Sequence, residues 1–274
     1  MRKKKKKRSL FRRLVFSSVL VLAGFIAFHF VYPDVSRLKK ENPGKTAMME
    51  YREKEWKEKG KKHRINQIWA PYDRISPYLI KAVLIGEDDK FWHHEGFDYE
   101  AIQKAVEKDI RVKKFKLGGS TISQQLAKNL YLSPSKNPAR KIREAIITWR
   151  LERALTKKRI LEIYLNVAEW GEGIFGIEAA SRHYYGMPAS SLGPEQAARL
   201  ASVLPNPRKF NPVGEQRYVV HRSNLIYSIM VRRGIVVPEY EEISGEETVP
   251  ESSDTIETPS GPDVPPGDVR SESK

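Results

Sequence analysis

Cysteine is absent from the 274 residues, so the chain forms no disulfide and offers no thiolate to a metal. Histidine is scarce: there are six, none in a His-Glu-x-x-His pattern, and the adjacent pair His93-His94 would face apart on a helix. Acidic side chains are the minority, 34 against 49 lysines and arginines, which leaves a formal charge of +15. Sustained period-two alternation of apolar residues is hard to find, which points away from a sheet-built domain. There is no internal repeat and no nucleic-acid-binding motif.

What is present begins with charge. Residues 1–13 carry nine basic residues, and the last 37 residues from Pro238 carry 11 acids against 2 bases. The two ends cancel, so about +15 stays on residues 14–237, which suits an anionic membrane surface or a phosphorylated substrate. After the basic start, Leu14 to Tyr32 is a 19-residue apolar run broken only by small residues and His29. That length spans a bilayer core of roughly 30 Å. A cleaved signal peptide is the competing reading, but no small-x-small cleavage site precedes Pro33. Basic residues before the span place the N-terminus in the cytoplasm and everything after Pro33 outside, where nucleic acid is not normally met.

Five segments follow: a basic cytoplasmic stretch at 1–13, a transmembrane helix at 14–32, a charged juxtamembrane stalk at 33–64, a folded domain at 65–237 and an acidic tail at 238–274. The tail is dominated by Glu, Asp, Pro, Ser and Thr, too polar to offset the entropy of folding, and is expected to be disordered. Within the folded domain apolar residues recur at helical spacing, so it is expected to be mainly α-helical. Ser76-Pro77 signals a helix start by cap and first-position proline, with Leu79, Ile80, Val83 and Leu84 as its buried stripe leading to Glu87. Further helices are expected over 99–110, 120–130, 138–155, through 162–166, 177–184, 194–203 and 219–231, with Gly171, Gly173 and Gly176 breaking the chain.

Three stretches carry chemistry. Glu87 follows an apolar helix directly, and partial burial there would raise its pKa into the range of a general acid or base. Gly118 and Gly119 let the backbone turn, Ser120 or Thr121 caps the next helix, and its free N–H groups favour an anion. Thr121, Gln124, Gln125 and Lys128 then share one helix face at spacings of three and four, a face suited to phosphate and sugar together. Glu144 stands among Arg140, Lys141 and Arg143, which alone would read as a surface ion-pair cluster.

The segment from Glu87 to Asp98 resembles the first signature of the peptidoglycan glycosyltransferases, Glu-Asp-x-x-Phe-x-x-His-x-Gly-x-Asp, with Phe91, His94 and Gly96 in register. Gly118 to Asn129 resembles the second, and Arg140-Lys141-x-x-Glu144 the third. Lys158 to Asn166 resembles the fourth, and Leu204-Pro205-Asn206-Pro207 through Asn211-Pro212 the fifth. Residues 161–180 further resemble the monofunctional biosynthetic transglycosylases, and the chain has no Lys-Thr-Gly box of an appended transpeptidase.

The resemblance implies a lysozyme-like helical fold with a small mobile membrane-proximal part at residues 97–118, anchored in a bacterial cytoplasmic (inner) membrane. It implies lipid II as acceptor and a growing glycan on undecaprenyl pyrophosphate as donor, joined β-1,4 in one inverting displacement. Glu87 is then the base for the acceptor 4-hydroxyl. Lys128, Lys136 and Arg140 stabilise the departing pyrophosphate, with Ser120, Thr121 and Gln124 orienting the phosphates. Gln125 and Asn166 are further substrate-binding candidates. Phe91, His94, Gly96, Gly118 and Gly119 are structural residues beside the site. Lys136 stands where relatives often carry arginine, so a bidentate contact is in doubt there. Glu144 could stabilise the developing positive sugar, hold a lysine in place or bind a divalent ion. Mg²⁺ or Mn²⁺ suits a pyrophosphate, its requirement being open, and no organic cofactor is implied. Membrane lipids and other cell-wall synthesis proteins are the expected further partners. A lysozyme-type hydrolase or lytic transglycosylase on the same glycan is the nearest alternative, and a non-catalytic envelope scaffold the third.

Overall fold

Side-chain caps and prolines set most helix starts in the computed structural model, which describes residues 2–112, 119–134 and 137–237. Helix α1 spans Arg2–Val31, α2 Ala47–Glu58, α3 Pro77–Glu87, α4 Tyr99–Val112 and α5 Ile122–Tyr131. Helix α6 spans Pro138–Ala154, α7 Lys157–Val167, α8 Ile177–Tyr185, α9 Pro194–Val203 and α10 Arg217–Arg232. Thr121, Asn137 and Thr156 accept from the first-turn amides of Gln124, Ala139 and Arg159, and proline opens α3, α6 and α9. Ser76 departs from its expected part. Its hydroxyl donates to the Leu192 carbonyl at 2.7 Å and leaves α3 with proline alone as its start signal.

The mainly helical expectation holds. The only sheet among the described residues has three short strands in the order β1-β3-β2, with β1 at Asn66–Gln67, β2 at Glu169–Gly171 and β3 at Ile174–Phe175. Strand β1 runs parallel to β3 with Asn66 opposite Ile174, and β2 runs antiparallel to it with Glu169 opposite Phe175. Helices α3 and α10 both pack on α9, and α5 lies between α6 and α7. Leu79, Val83, Phe91, Ile122, Leu126, Leu151, Leu161, Leu165 and Leu200 from these elements are fully buried in one cluster. That cluster is the platform from which the ends of α3 and α5 meet.

Packing begins well before residue 65, so 33–64 is more than a charged stalk. Val35 and Leu38 are buried in the main cluster, while Met49 and Trp56 on α2 are buried to 1% exposure. Each large α2 side chain contributes roughly 2–3 kcal/mol of burial before its entropy is counted. The charges of α2 are spent inward as well. Arg52 forks onto Glu169 at 2.8–3.1 Å, and Glu55 takes Arg52, Lys59 and Arg208. Those cations hold the Glu55 carboxyl down to about 2, with the Lys59 hydrogen bond the largest cause.

Helix α1 docks on α6 through Arg150, which donates to the Val31 carbonyl at 2.9 Å, and through an edge contact of Phe30 with Trp149. Among the described residues no helix is long and apolar enough overall to cross a membrane. The tail at 238–274, Gly118, Lys136 and the end of the expected mobile part, 113–118, lie outside the described residues.

Candidate active site

The apolar stripe of α3 ends at Glu87, whose side chain is 9% exposed. Gln125 of α5 donates from Nε2 to Glu87 Oε2 at 2.9 Å. The orientation of that amide is fixed, because the buried Tyr164 hydroxyl donates to Gln125 Oε1 at 3.0 Å and leaves only the NH₂ to face the carboxylate. The other carboxylate oxygen, Oε1, is held more loosely, with Arg222 Nη2 at 3.3 Å. Burial raises the Glu87 pKa, opposed by the Gln125 hydrogen bond and the charges of Arg222 and Lys128. The result is a carboxylate above its ordinary range, the condition a general base or acid needs at neutral pH.

The residues just after Glu87 lock its loop to the start of α5. Asp88 Oδ2 accepts from the Ile122 amide at 2.9 Å, and its carboxylate accepts from His94 Nε2. His94 Nδ1 accepts from the Gly96 amide at 3.0 Å, so the proton sits on Nε2 and the ring is a bridge between loop and carboxylate. The Gly96 carbonyl accepts from Thr121 Oγ1 at 2.7 Å. Phe91 is fully buried beneath this loop, with Lys157 Nζ 4.5 Å over its ring.

These contacts change the reading of the α5 N-terminus. Thr121 and Gln124 are buried and form a reciprocal capping box, Gln124 Oε1 accepting from the Thr121 amide and Thr121 Oγ1 from the Gln124 amide. With Asp88 on the Ile122 amide, the amides of Thr121, Ile122 and Gln124 have internal partners. The helix start is therefore not the open anion cradle that its sequence suggested. The same residue types serve a cap and a phosphate equally, and burial decides for the cap.

Glu87 lines a cleft of about 570 Å³ together with Asp88, Gly119, Ser120, Gln125, Pro205 and Arg222. A slightly larger cavity of about 620 Å³, between α2 and the start of α6, contains Arg140 and Arg143 but neither Glu87 nor Ser120. Volume does not locate the chemistry; the buried carboxylate does. Ser120 is exposed at the rim. Lys128, one turn along α5 from Gln125, is held between the charges of Glu144 and Glu87 and has no hydrogen-bond partner among the described residues. Burial lowers its pKa, Glu144 opposes the shift, and Arg140 and Lys141 reinforce it.

Glu144 is buried rather than on a surface: Arg140 Nη1 donates to Oε2 at 2.8 Å and Lys141 to Oε1. Both oxygens being engaged, its donor set does not fit a hard divalent cation. No other group of three His, Asp or Glu is placed to hold one among the described residues. Asn166 is also removed from the cleft. It is fully buried, bonded to the Ala70 amide and carbonyl and to the Glu162 carbonyl, and braces α7 against the chain before α3.

Sequence reasoning did not find Tyr164, which sets the Gln125 amide, or Arg222, which donates to both the Gly86 carbonyl at 2.7 Å and Glu87. The available signal for Arg222 was a basic residue four positions before Ile226, beside the buried stripe of α10.

Fold and site together define a helical enzyme domain with a nearly buried carboxylate at a polar cleft. A family model described as Transglycosylase matches residues 53–231. A relative from Dechloromonas aromatica, named biosynthetic peptidoglycan transglycosylase, is 56% identical over 170 residues, covering 62% of this chain and 74% of its own. A second of the same name from Nitrosospira multiformis is 47% identical over 216 residues, covering 77% of this chain and 94% of its own. A third so named, from Methylobacillus flagellatus, is 45% identical over 225 residues, covering 82% and 96%. The chain belongs to the transglycosylase family.

Proposed function

We propose that this protein polymerises the glycan strands of peptidoglycan, transferring a lipid-linked growing chain onto the 4-hydroxyl of lipid II. The observation that carries this reading is Glu87, buried at the floor of the 570 Å³ cleft with one oxygen fixed by Gln125 and the other loosely held. A sugar hydroxyl is a poor nucleophile at neutral pH, and a carboxylate of raised pKa removes its proton as the new bond forms. The oxygen attacks the anomeric carbon of the donor, the α-linked pyrophosphate leaves, and the β-1,4 link follows with inversion.

Undecaprenyl pyrophosphate gains negative charge as it departs. Lys128, lacking a hydrogen-bond partner among the described residues and already desolvated, is the cation best prepared to meet it, with Ser120 at the rim. Arg140 and Lys141 join from α6, and Glu144 is the residue that holds them in place. Lys136, outside the described residues, is a candidate for the same role on its sequence position alone. Mg²⁺ or Mn²⁺ would enter as a counter-ion of the pyrophosphate, with its waters, rather than in a protein cage.

The apolar run Leu14–Tyr32, which ends one residue past α1, serves as a single-pass anchor in the cytoplasmic membrane. Exposed Phe16, Val21, Phe28 and Val31 support a lipid-facing surface, and the basic residues before them keep the N-terminus inside. The folded part that follows the anchor, including the packed residues before 65, then lies on the outer side in a lysozyme-like arrangement.

Purified full-length protein incubated with labelled lipid II tests the reading. Chains of polymer are expected from the wild type and none from Glu87→Gln, which keeps the shape and loses the base while still binding lipid II. Cleavage of mature glycan without polymerisation of lipid II would instead establish a hydrolase.

A further inference from the structure

We infer that Arg222 is the positioning residue of the Glu87 base: it ties the end of α3 to α10 and sets the permanent positive charge that faces the carboxylate. The inference rests on the proposed role of Glu87.

A single nitrogen, Nη2, donates to the Gly86 carbonyl at 2.7 Å and reaches Glu87 Oε1 at 3.3 Å. Backbone and side chain of the base are thereby referenced to one guanidinium. The residue before the base has no side chain, and a Cβ there would come within 3.3 Å of Ile226 Cδ1 and 3.8 Å of Arg222 Nη2. Helix α10 is therefore seated directly against the turn that presents Glu87. Its buried residues Val219, Ser223, Ile226 and Met230 hold it there.

Electrostatics gives the contact its purpose. Glu87 is the last residue of α3, at the negative end of the helix dipole, and it is buried; both oppose ionisation. The groups facing it are Lys128 from α5, Arg222 from α10, the neutral Gln125 of α5 and Tyr164 of α7, and Asp88 next in the chain. Asp89 and Lys90, also on the cleft wall, are paired with Arg233 and Glu100. Lys128 is shared with Glu144, and burial favours its neutral form. Arginine cannot lose its charge, so Arg222 supplies a positive charge beside Glu87 at every working pH.

The test is kcat against pH for lipid II polymerisation by full-length wild type, Arg222→Met and Arg222→Lys, with melting temperature measured alongside. The acid limb of Arg222→Met is expected at higher pH. At a pH on the wild-type limb its rate falls on the order of tenfold, while the alkaline plateau and KM stay within about threefold. Arg222→Lys restores much of the limb, because both contacts are made by a single nitrogen, Nη2, and an ammonium can supply that charge and those donors. An equal loss at every pH, or an unmoved limb in a folded Arg222→Met, overturns the inference. If Arg222→Met has no melting transition, Arg222→Gln replaces it under the same criteria. Failure of the underlying reading looks different: Glu87→Gln would then retain turnover and the acid limb.

Discussion

Gly96→Ala offers a quantitative test of how the loop after Glu87 is held. Gly96 has φ of +92°, and a Cβ there would meet Thr148 Cγ2 at 2.9 Å and Glu152 Cγ at 3.0 Å. Neither neighbour yields easily. Thr148 is β-branched, fully buried and bonded to the Glu144 carbonyl, and Glu152 is anchored by Ser123 and Lys157. The left-handed backbone costs about 1–2 kcal/mol and the overpacking about 1–3 kcal/mol. Against this, alanine stabilises by about 0.5 kcal/mol through a less flexible unfolded chain. A net loss of about 3 kcal/mol follows, which for a domain of this size lowers Tm by roughly 6–12 °C. The perturbation also reaches the site, because the Gly96 amide holds His94 and its carbonyl holds Thr121. Thermal melting followed by far-UV circular dichroism measures the loss. A Tm within 2 °C of wild type, with polymerisation intact, would refute this account of the loop.

Two further outcomes separate function from stability. Because burial raises the Glu87 pKa in the folded state, the native protein binds more protons than the unfolded chain above the ordinary glutamate value of 4.5. Stability is therefore lost as pH rises through the folded pKa, and Glu87→Gln should melt higher than wild type at neutral pH, an advantage that vanishes below about 4.5. Lys128→Met removes a buried cation without a hydrogen-bond partner and should raise Tm by roughly 2–4 °C while cutting lipid II polymerisation by about 100-fold. An unaltered rate would leave that helix face without a catalytic part.

Much of this fold is local and was readable. Pro194 to Val203 forms a helix with the expected ends, and Pro138, Tyr99 and Ile177 start theirs where caps, prolines and apolar spacing place them. The stretch 33–64 was not readable as part of the domain. Its apolar residues are few, but Met49 and Trp56 are large and fully used, and its charges Arg52 and Glu55 find partners more than a hundred residues away at Glu169 and Arg208. Glu87, Gln125 and Lys128 stand together as their spacing and the family pattern suggested. Gln124 and Asn166 do not line up with them, and Thr121 reaches the cleft wall with its hydroxyl already spent on the loop and the helix cap; a polar residue that caps a helix and one that grips a ligand carry identical atoms. Only solvent exposure tells the two apart.

The unequal grip on the two oxygens of Glu87 has a consequence for regiochemistry. In the proposed reaction, Oε2 is bonded to Gln125 and the more loosely held Oε1 is the oxygen better placed to take an alcohol's proton. A pyranose presents several hydroxyls of similar acidity, and a catalyst accessible from all directions would link them indiscriminately. In that proposed reaction the amide of Gln125, itself steered by a phenol in the interior, favours one side of the carboxylate, so that which hydroxyl reacts depends on how the sugar lies and not on its acidity alone.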